Sequence, residues 1–178
     1  MAACNIENIN EWIGSLRAGD EILLSGCVYT ARDAAHKRLA ESIKRGESLP
    51  FDLQDAVIYY AGPTPNRDGQ IIGSCGPTTS GRMDVFTPML YDLGLGCTIG
   101  KGKRTPEVTA SIVRNSRAYL CALGGAGALA AQCVKSLEVI AYEDLGCESI
   151  KRLVIEDFPL YVAIDSTGAD IYNLSNNG

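Results

Sequence analysis

The amino-acid sequence predicts a single α/β domain in which a mixed β-sheet is covered by helices. Three observations carry that prediction. The 178 residues are 46% hydrophobic, enough for one full core, since a compact chain of this size buries roughly 70% of the surface its unfolded form exposes. Apolar runs alternate with capped, amphipathic stretches through most of the chain, the pattern of successive strand and helix units. The tail instead holds two apolar runs with no helix between them, which makes the sheet mixed. No internal repeat, low-complexity tract or linker interrupts residues 1–178, so one domain is expected over the whole length.

The elements follow in order. Glu21–Tyr29 (EILLSGCVY) reads as a buried strand, and Thr30-Ala31-Arg32-Asp33 has capping-box spacing that opens a helix running to Gly46. Ala56–Ala61 is a second strand, followed by a turn-rich loop over 62–69 and a short strand at Ile71-Ile72. After the segment 73–84 a helical stretch reaches about Leu93, with Gly94 as its stop. Cys97–Ile99 is a brief strand. Thr105, with Pro106 at the first helical position, starts a helix to about Arg117. Ala118–Leu123 is a strand, Gly125 to about Val134 a small-residue helix, and Leu137–Tyr142 a strand. Leu153–Ile155 and Leu160–Ile164 add two more.

Composition excludes several function classes. Sixteen basic side chains stand against 21 acidic ones, a net charge of −5, so the whole-molecule field repels nucleic acid and anionic membrane surfaces alike. Any anion held here is held locally. Seven cysteines at wide, irregular spacing contain no Cys-x-x-Cys pair, and there is one histidine, His36. Local zinc and iron–sulfur signatures are therefore missing, and the thiols read as reduced, mostly buried groups of a cytoplasmic protein. No run approaches the ~20 apolar residues of a membrane span, and the first residues lack the basic-then-apolar pattern of a secretory signal.

Three glycine-rich segments each end near a helix start and bring cations or hydroxyls, a combination suited to anion capture. Helix N-terminal amides carry partial positive charge, glycine admits a ligand to the backbone, and a guanidinium grips a carboxylate through two parallel hydrogen bonds. Arg32 falls in the first turn of its helix, where the helix dipole opposes a cation unless an anion binds there; pairing with a carboxylate of the fold is the other reading. Arg82 lies in Gly76–Arg82 (GPTTSGR), whose glycines, proline and hydroxyls resist regular packing. There Thr79 and Ser80 read most simply as caps of the following helix. Lys101, Lys103 and Arg104 read as a solvated loop, with Gly100 and Gly102 favouring a lysine aimed at a ligand.

Other motifs weigh less. Gly96–Lys101 has one residue too few for a P-loop, and Gly102 stands where the Ser or Thr belongs. Gly125–Ala130 (GAGALA) fits a dinucleotide-binding fingerprint with Glu143 and Asp144 downstream, although small residues there also serve close packing, the favoured reading. Cys75 lacks a base, and His36, one turn after Arg32, reads as a packing or capping group.

The run Gly76–Asp84 (GPTTSGRMD), together with Thr30–Leu39 (TARDAAHKRL) and Gly100-Lys101-Gly102, resembles the β subunit of class I, iron–sulfur-dependent fumarate hydratases. The related L-tartrate dehydratase β subunit shares the scaffold. The resemblance covers nearly the whole chain and implies a swivelling β/β/α domain. It also implies a hydro-lyase that hydrates fumarate reversibly to (S)-malate, active only with an α subunit carrying a [4Fe–4S] cluster, as α2β2. By the same resemblance Arg32, Arg82 and Lys101, with Lys103 as the alternative loop lysine, bind the carboxylates of a small dicarboxylate, Thr78 takes the proton or orients the substrate, and this chain binds no metal. A dinucleotide module at Gly125–Ala130 and a stand-alone diacid-binding protein are the competing expectations.

Overall fold

The computed structural model describes residues 1–65, 69–122 and 126–174. Its strands are β1 (Ala2–Asn5), β2 (Glu21–Thr30), β3 (Val57–Tyr59), β4 (Cys97–Gly100), β5 (Ala118–Ala122), β6 (Val134–Ala141) and β7 (Ile150–Ile164). The helices are α1 (Ile9–Trp12), α2 (Asp33–Arg45), α3 (Thr87–Asp92), α4 (Pro106–Arg114), α5 (Ala126–Cys133) and α6 (Ile171–Leu174), with 3-10 turns at Ser80–Met83 and Glu143–Glu148. The sheet is mixed, as expected. β1 to β5 pair in parallel, and β7 runs antiparallel to β2, β5 and β6.

Because β7 pairs with β2 on one edge and with β5 on the other, β2, β3, β4, β5 and β7 close into a ring. Side chains alternate across each strand, so the ring sorts them into two cores. Ile22, Leu24, Val57, Tyr59, Ile99, Leu120, Leu153 and Leu160 belong to one cluster, to which α1 contributes Ile9 and α5 contributes Ala130. Ile58, Tyr60, Tyr119 and Cys121, from the opposite face, pack with Ala35 and Leu39 of α2, Leu90 and Tyr91 of α3, and Val108 and Ile112 of α4. Among the described residues, no helix is long and apolar enough to cross a membrane.

Several boundaries differ from expectation for identifiable reasons. The two tail strands are one. A bulge at Glu156-Asp157, where Asp157 adopts φ 50° and its N–H donates to Ser25 Oγ at 2.9 Å, inverts the alternation; inward positions are odd before it (Leu153, Ile155) and even after it (Phe158, Leu160, Val162). Ile71-Ile72 forms no strand and lies in an irregular loop. The capping box at Thr30 is not formed: Thr30 ends β2, its hydroxyl accepts the Lys151 N–H at 3.1 Å, and the N-cap of α2 is Arg32. Helix α4 stops at Arg114, short of the expected Arg117, and β1 and α1 add N-terminal structure with no periodic signal. Helix α2 ends as expected at Gly46, in the left-handed region at φ 66°.

Candidate active site

The site lies where the parallel strands end at their carboxyl sides, the usual place for ligands in α/β sheets. Beyond β2 come Arg32 and Asp33; beyond β3, Tyr60–Gly62; beyond β4, Lys101. The glycine-rich segment crosses these ends. Pro77 bridges Ala61, the Thr78 N–H donates to the Tyr60 carbonyl at 2.6 Å, and Thr79 bridges Lys101. At Gly62 the Arg32 side chain passes close over bare backbone: a Cβ there would lie 2.9 Å from its Nη1 and 3.0 Å from its Cδ, so a larger residue would displace the arginine.

Arg32 and Arg82 meet through α2. Arg82 reaches the first helical residue, Asp33, with Nε to Oδ1 at 2.9 Å and Nη2 to Oδ2 at 2.8 Å. Arg32 faces Glu148 of the 3-10 turn before β7, with Nε and Oε1 3.7 Å apart, too far for a hydrogen bond. Both atoms are buried and unpaired. Nearly all buried polar atoms in folded proteins have partners, so an unbonded pair of this kind is unusual. A carboxylate of the fold thus stands beside Arg32 without bonding its Nε. Thr78 is half-buried and its hydroxyl makes no hydrogen bond among the described residues. Lys101 is exposed.

Beneath this layer the structure corrects the reading of the basic loop. Arg104 is buried, with a fully inaccessible side chain. Its Nε donates to Asp84 Oδ1 at 2.7 Å, Nη1 to Thr98 at 3.2 Å, and Nη2 to Thr87 at 2.9 Å and Tyr60 at 3.2 Å. The guanidinium carbon stands 4.6 Å from the Tyr119 ring centroid. Asp84 also accepts the Thr105 N–H at 2.7 Å, at the start of α4. Nor does Ser80 cap a helix: its Oγ accepts the Lys101 N–H at 3.0 Å, and its own N–H donates to the Lys101 carbonyl at 2.9 Å. Gly100 permits this approach, because a Cβ there would lie 1.9 Å from Ser80 Oγ.

His36 has the packing role expected of it. Fully buried, it donates from Nδ1 to the Arg32 carbonyl at 2.8 Å, and burial lowers its pKa to about 4, so the ring is neutral. Burial pushes the Cys75 thiol up to about 12, unsuited to a nucleophile. The small residues of α5 serve packing: a Cβ on Gly127 would lie 2.6 Å from Ser74 Oγ, and the Gly127 carbonyl accepts the Cys75 N–H at 3.2 Å. Gly125 lies outside the described residues.

Sequence reading missed Asp33 and Glu148 as partners of the arginines, and Ser80 and Tyr119 as supports of Lys101. Asp33 offered a weak signal as an acid opening a helix; Glu148, far along the chain from Arg32, offered none.

The sequence profile of the family described as "Fumarase C-terminus" matches residues 2–175. The chain is 34% identical over 170 residues to fumarate hydratase 2 of Leishmania major, covering 94% of this chain and 30% of that protein. It is 40% identical over 151 residues to the aerobic class I fumarate hydratase of Escherichia coli strain K12, covering 84% of this chain and 28% of that protein. The chain therefore spans under a third of the fumarate hydratases it matches. The putative L(+)-tartrate dehydratase subunit beta of Methanocaldococcus jannaschii is 38% identical over 170 residues, covering 92% of this chain and 87% of that protein. Residues 2–175 thus place the chain in the fumarase C-terminal family, whose similar members here are class I fumarate hydratases and a tartrate dehydratase β subunit.

Proposed function

We propose that this chain is the β subunit of a hydro-lyase that interconverts fumarate and (S)-malate, contributing the carboxylate-binding wall of an active site completed by an α subunit, in an α2β2 assembly. The observation that supports the reading is that the segments bearing Arg32, Thr78, Arg82 and Lys101 lie beyond the carboxyl ends of β2 to β4, tied by the Arg82–Asp33 pair and the Thr79–Lys101 bridge, in a member of the fumarase C-terminal family.

The reaction sets a clear task. Taking a proton from C3 of malate, beside a carboxylate, builds a doubly charged aci-carboxylate, and donors fixed in advance around it stabilise that charge more than they stabilise the ground state. Arg82, held on its Nε and Nη2 side by Asp33, keeps Nη1 for one substrate carboxylate. Arg32, whose Nε lacks a partner, exchanges the loose approach of Glu148 for a bound carboxylate. Lys101 supplies a point charge. Thr78 acts as its alkoxide, the charged form that surrounding cations favour: it takes the C3 proton to become the neutral hydroxyl, the C2 group leaves as hydroxide, and passage of that proton to the hydroxide releases water and restores the alkoxide.

Among the described residues, no group of three or more His, Cys, Asp or Glu side chains is placed to hold a metal ion. Buried thiols such as Cys75 and Cys97 are pushed up by desolvation, the opposite of what a thiolate ligand requires. We assign the [4Fe–4S] group to the α subunit.

The near-full coverage of the tartrate dehydratase β subunit favours a separate subunit and keeps L-tartrate as a second candidate substrate. The test is reconstitution with the α subunit followed by fumarate and L-tartrate turnover. Arg82→Ala is expected to lose about 2–4 kcal/mol of transition-state stabilisation, roughly 30- to 1,000-fold in kcat/KM. Full activity in that variant would refute the carboxylate grip.

A further inference from the structure

Lys101 and Gly102 of the basic loop are gripped through every backbone polar group they have. The Lys101 N–H donates to Ser80 Oγ at 3.0 Å, and its carbonyl accepts the Ser80 N–H at 2.9 Å. The Gly102 N–H donates to the hydroxyl of Tyr172 at 3.2 Å. The Tyr119 hydroxyl, 3.0 Å from the Gly102 carbonyl and 2.8 Å from Ser80 Oγ, shares its proton between them. Gly102 adopts φ 82°, in the left-handed region, so the turn depends on both its glycine and these partners. Tyr172 comes from α6, at the far end of the chain, and α6 is itself anchored: Asp170 bridges Ile164 at the end of β7, and the Tyr172 N–H donates to Asp170 Oδ1 at 2.9 Å.

An exposed lysine on a flexible loop loses much of its value as a ligand-binding charge, because fixing a long side chain on a moving backbone costs conformational entropy at the moment of binding. Here the backbone half of that cost is met in advance. The side chain projects from a Cα held by three separate segments: the glycine-rich run through Ser80, β5 through Tyr119, and α6 through Tyr172.

We propose that Tyr172 and Tyr119 are positioning residues that fix the Lys101-Gly102 turn and thereby aim the Lys101 ammonium at a substrate carboxylate, making the C-terminal α6 segment part of the active-site apparatus. This rests on the carboxylate-binding reading of Lys101 above. Neither tyrosine touches substrate in this arrangement; both act through the backbone of the turn.

The test is a double-mutant cycle in the reconstituted two-subunit enzyme. Tyr172→Phe removes one hydroxyl from a half-buried ring and keeps the ring. We expect kcat/KM for the diacid to fall ~10-fold, most of it in KM, since a small misplacement of a binding charge has effects of this order or larger. In a Lys101→Met background the same change is expected to alter kcat/KM less than ~2-fold, because a residue acting only through another has nothing left to position. A general structural role would penalise both backgrounds equally. A Tyr172→Phe enzyme within ~2-fold of wild type, or one whose full penalty persists in Lys101→Met, overturns the proposal. Should the wild-type pair turn over neither fumarate nor tartrate, the functional reading fails, and hydrogen exchange decides the positioning claim. Amides of 101 and 102 that exchange slowly, and ~10-fold faster in Tyr172→Phe, support it; equal rates overturn it.

Discussion

Asp84→Ala isolates the energetics of the layer beneath the site. Its two oxygens hold the Arg104 Nε and the Thr105 N–H, each at 2.7 Å, and the Arg104 side chain has no contact with solvent. Without Asp84 the guanidinium retains, among the described residues, neutral acceptors on Thr98, Thr87 and Tyr60 and the faces of the Tyr60 and Tyr119 rings. Breaking a buried pair by removing one member costs about 3–5 kcal/mol, mainly because a desolvated charge is left uncompensated. Unfolding entropy of about 2.1 cal/mol/K per residue gives roughly 0.37 kcal/mol/K for a chain of this length, so Tm should fall by about 8–13 °C. Thermal and urea unfolding followed by circular dichroism measure this. Adding Arg104→Met to Asp84→Ala should recover most of the loss, leaving the orphaned Thr105 N–H. A fall below ~3 °C in the single variant, or a double variant less stable than the single, would refute the assignment of Arg104 as a buried charge that depends on Asp84.

Other outcomes follow from geometry already described. The folded-state pKa of His36, about 4, lies below its ordinary 6.5, so the folded protein resists a proton that the unfolded chain accepts. Stability should be whole above pH 6.5, decline as pH falls towards 4, and level off below that, a loss of about 3 kcal/mol that a His36→Gln variant does not show in urea titrations across this range. Gly100→Ala drives a methyl group into Ser80 Oγ and should disturb both Ser80 hydrogen bonds to Lys101, lowering Tm and diacid affinity together; unchanged values for both would contradict the packing. Arg32→Ala should weaken diacid binding in the reconstituted enzyme more than Glu148→Gln does, because Glu148 approaches without bonding; the reverse order, read from KM, would make Glu148 the principal partner of the substrate.

How much of this was legible in the sequence depends on the range of the interactions involved. Helix α2 and its stop at Gly46 could be read because periodicity and a left-handed cap are local properties. Arg32, Arg82 and Lys101 stand out in the sequence as candidates because a cation at a helix start or between glycines contradicts local preference. Arg104 misled for the same reason in reverse: Lys-Arg beside glycines reads as a solvated loop, whereas its carboxylate partner lies twenty residues earlier and its ring partner on β5. β7 was divided in two because Glu156-Asp157 breaks the alternation, and only pairing with β2 reveals that the ladder continues across the bulge. Glu148, Tyr119 and Tyr172 were invisible as site residues, since each joins the site through tertiary contact alone.

The long β7 has a consequence for how the molecule comes into being. Among the described residues it is the last strand and the one that pairs with both β2 and β5, so β2 to β5 leave the ribosome before their closing partner. Until residue 164 has emerged, the far edges of β2 and β5 present unpaired amides and carbonyls to any neighbouring strand, the circumstance in which sheet proteins are most prone to mispair. Joining Glu21 to Tyr161 also spans most of the sequence, a separation that slows the search for the native arrangement. Synthesis of this protein thus carries a vulnerable interval whose length is set by the distance between its second strand and its last.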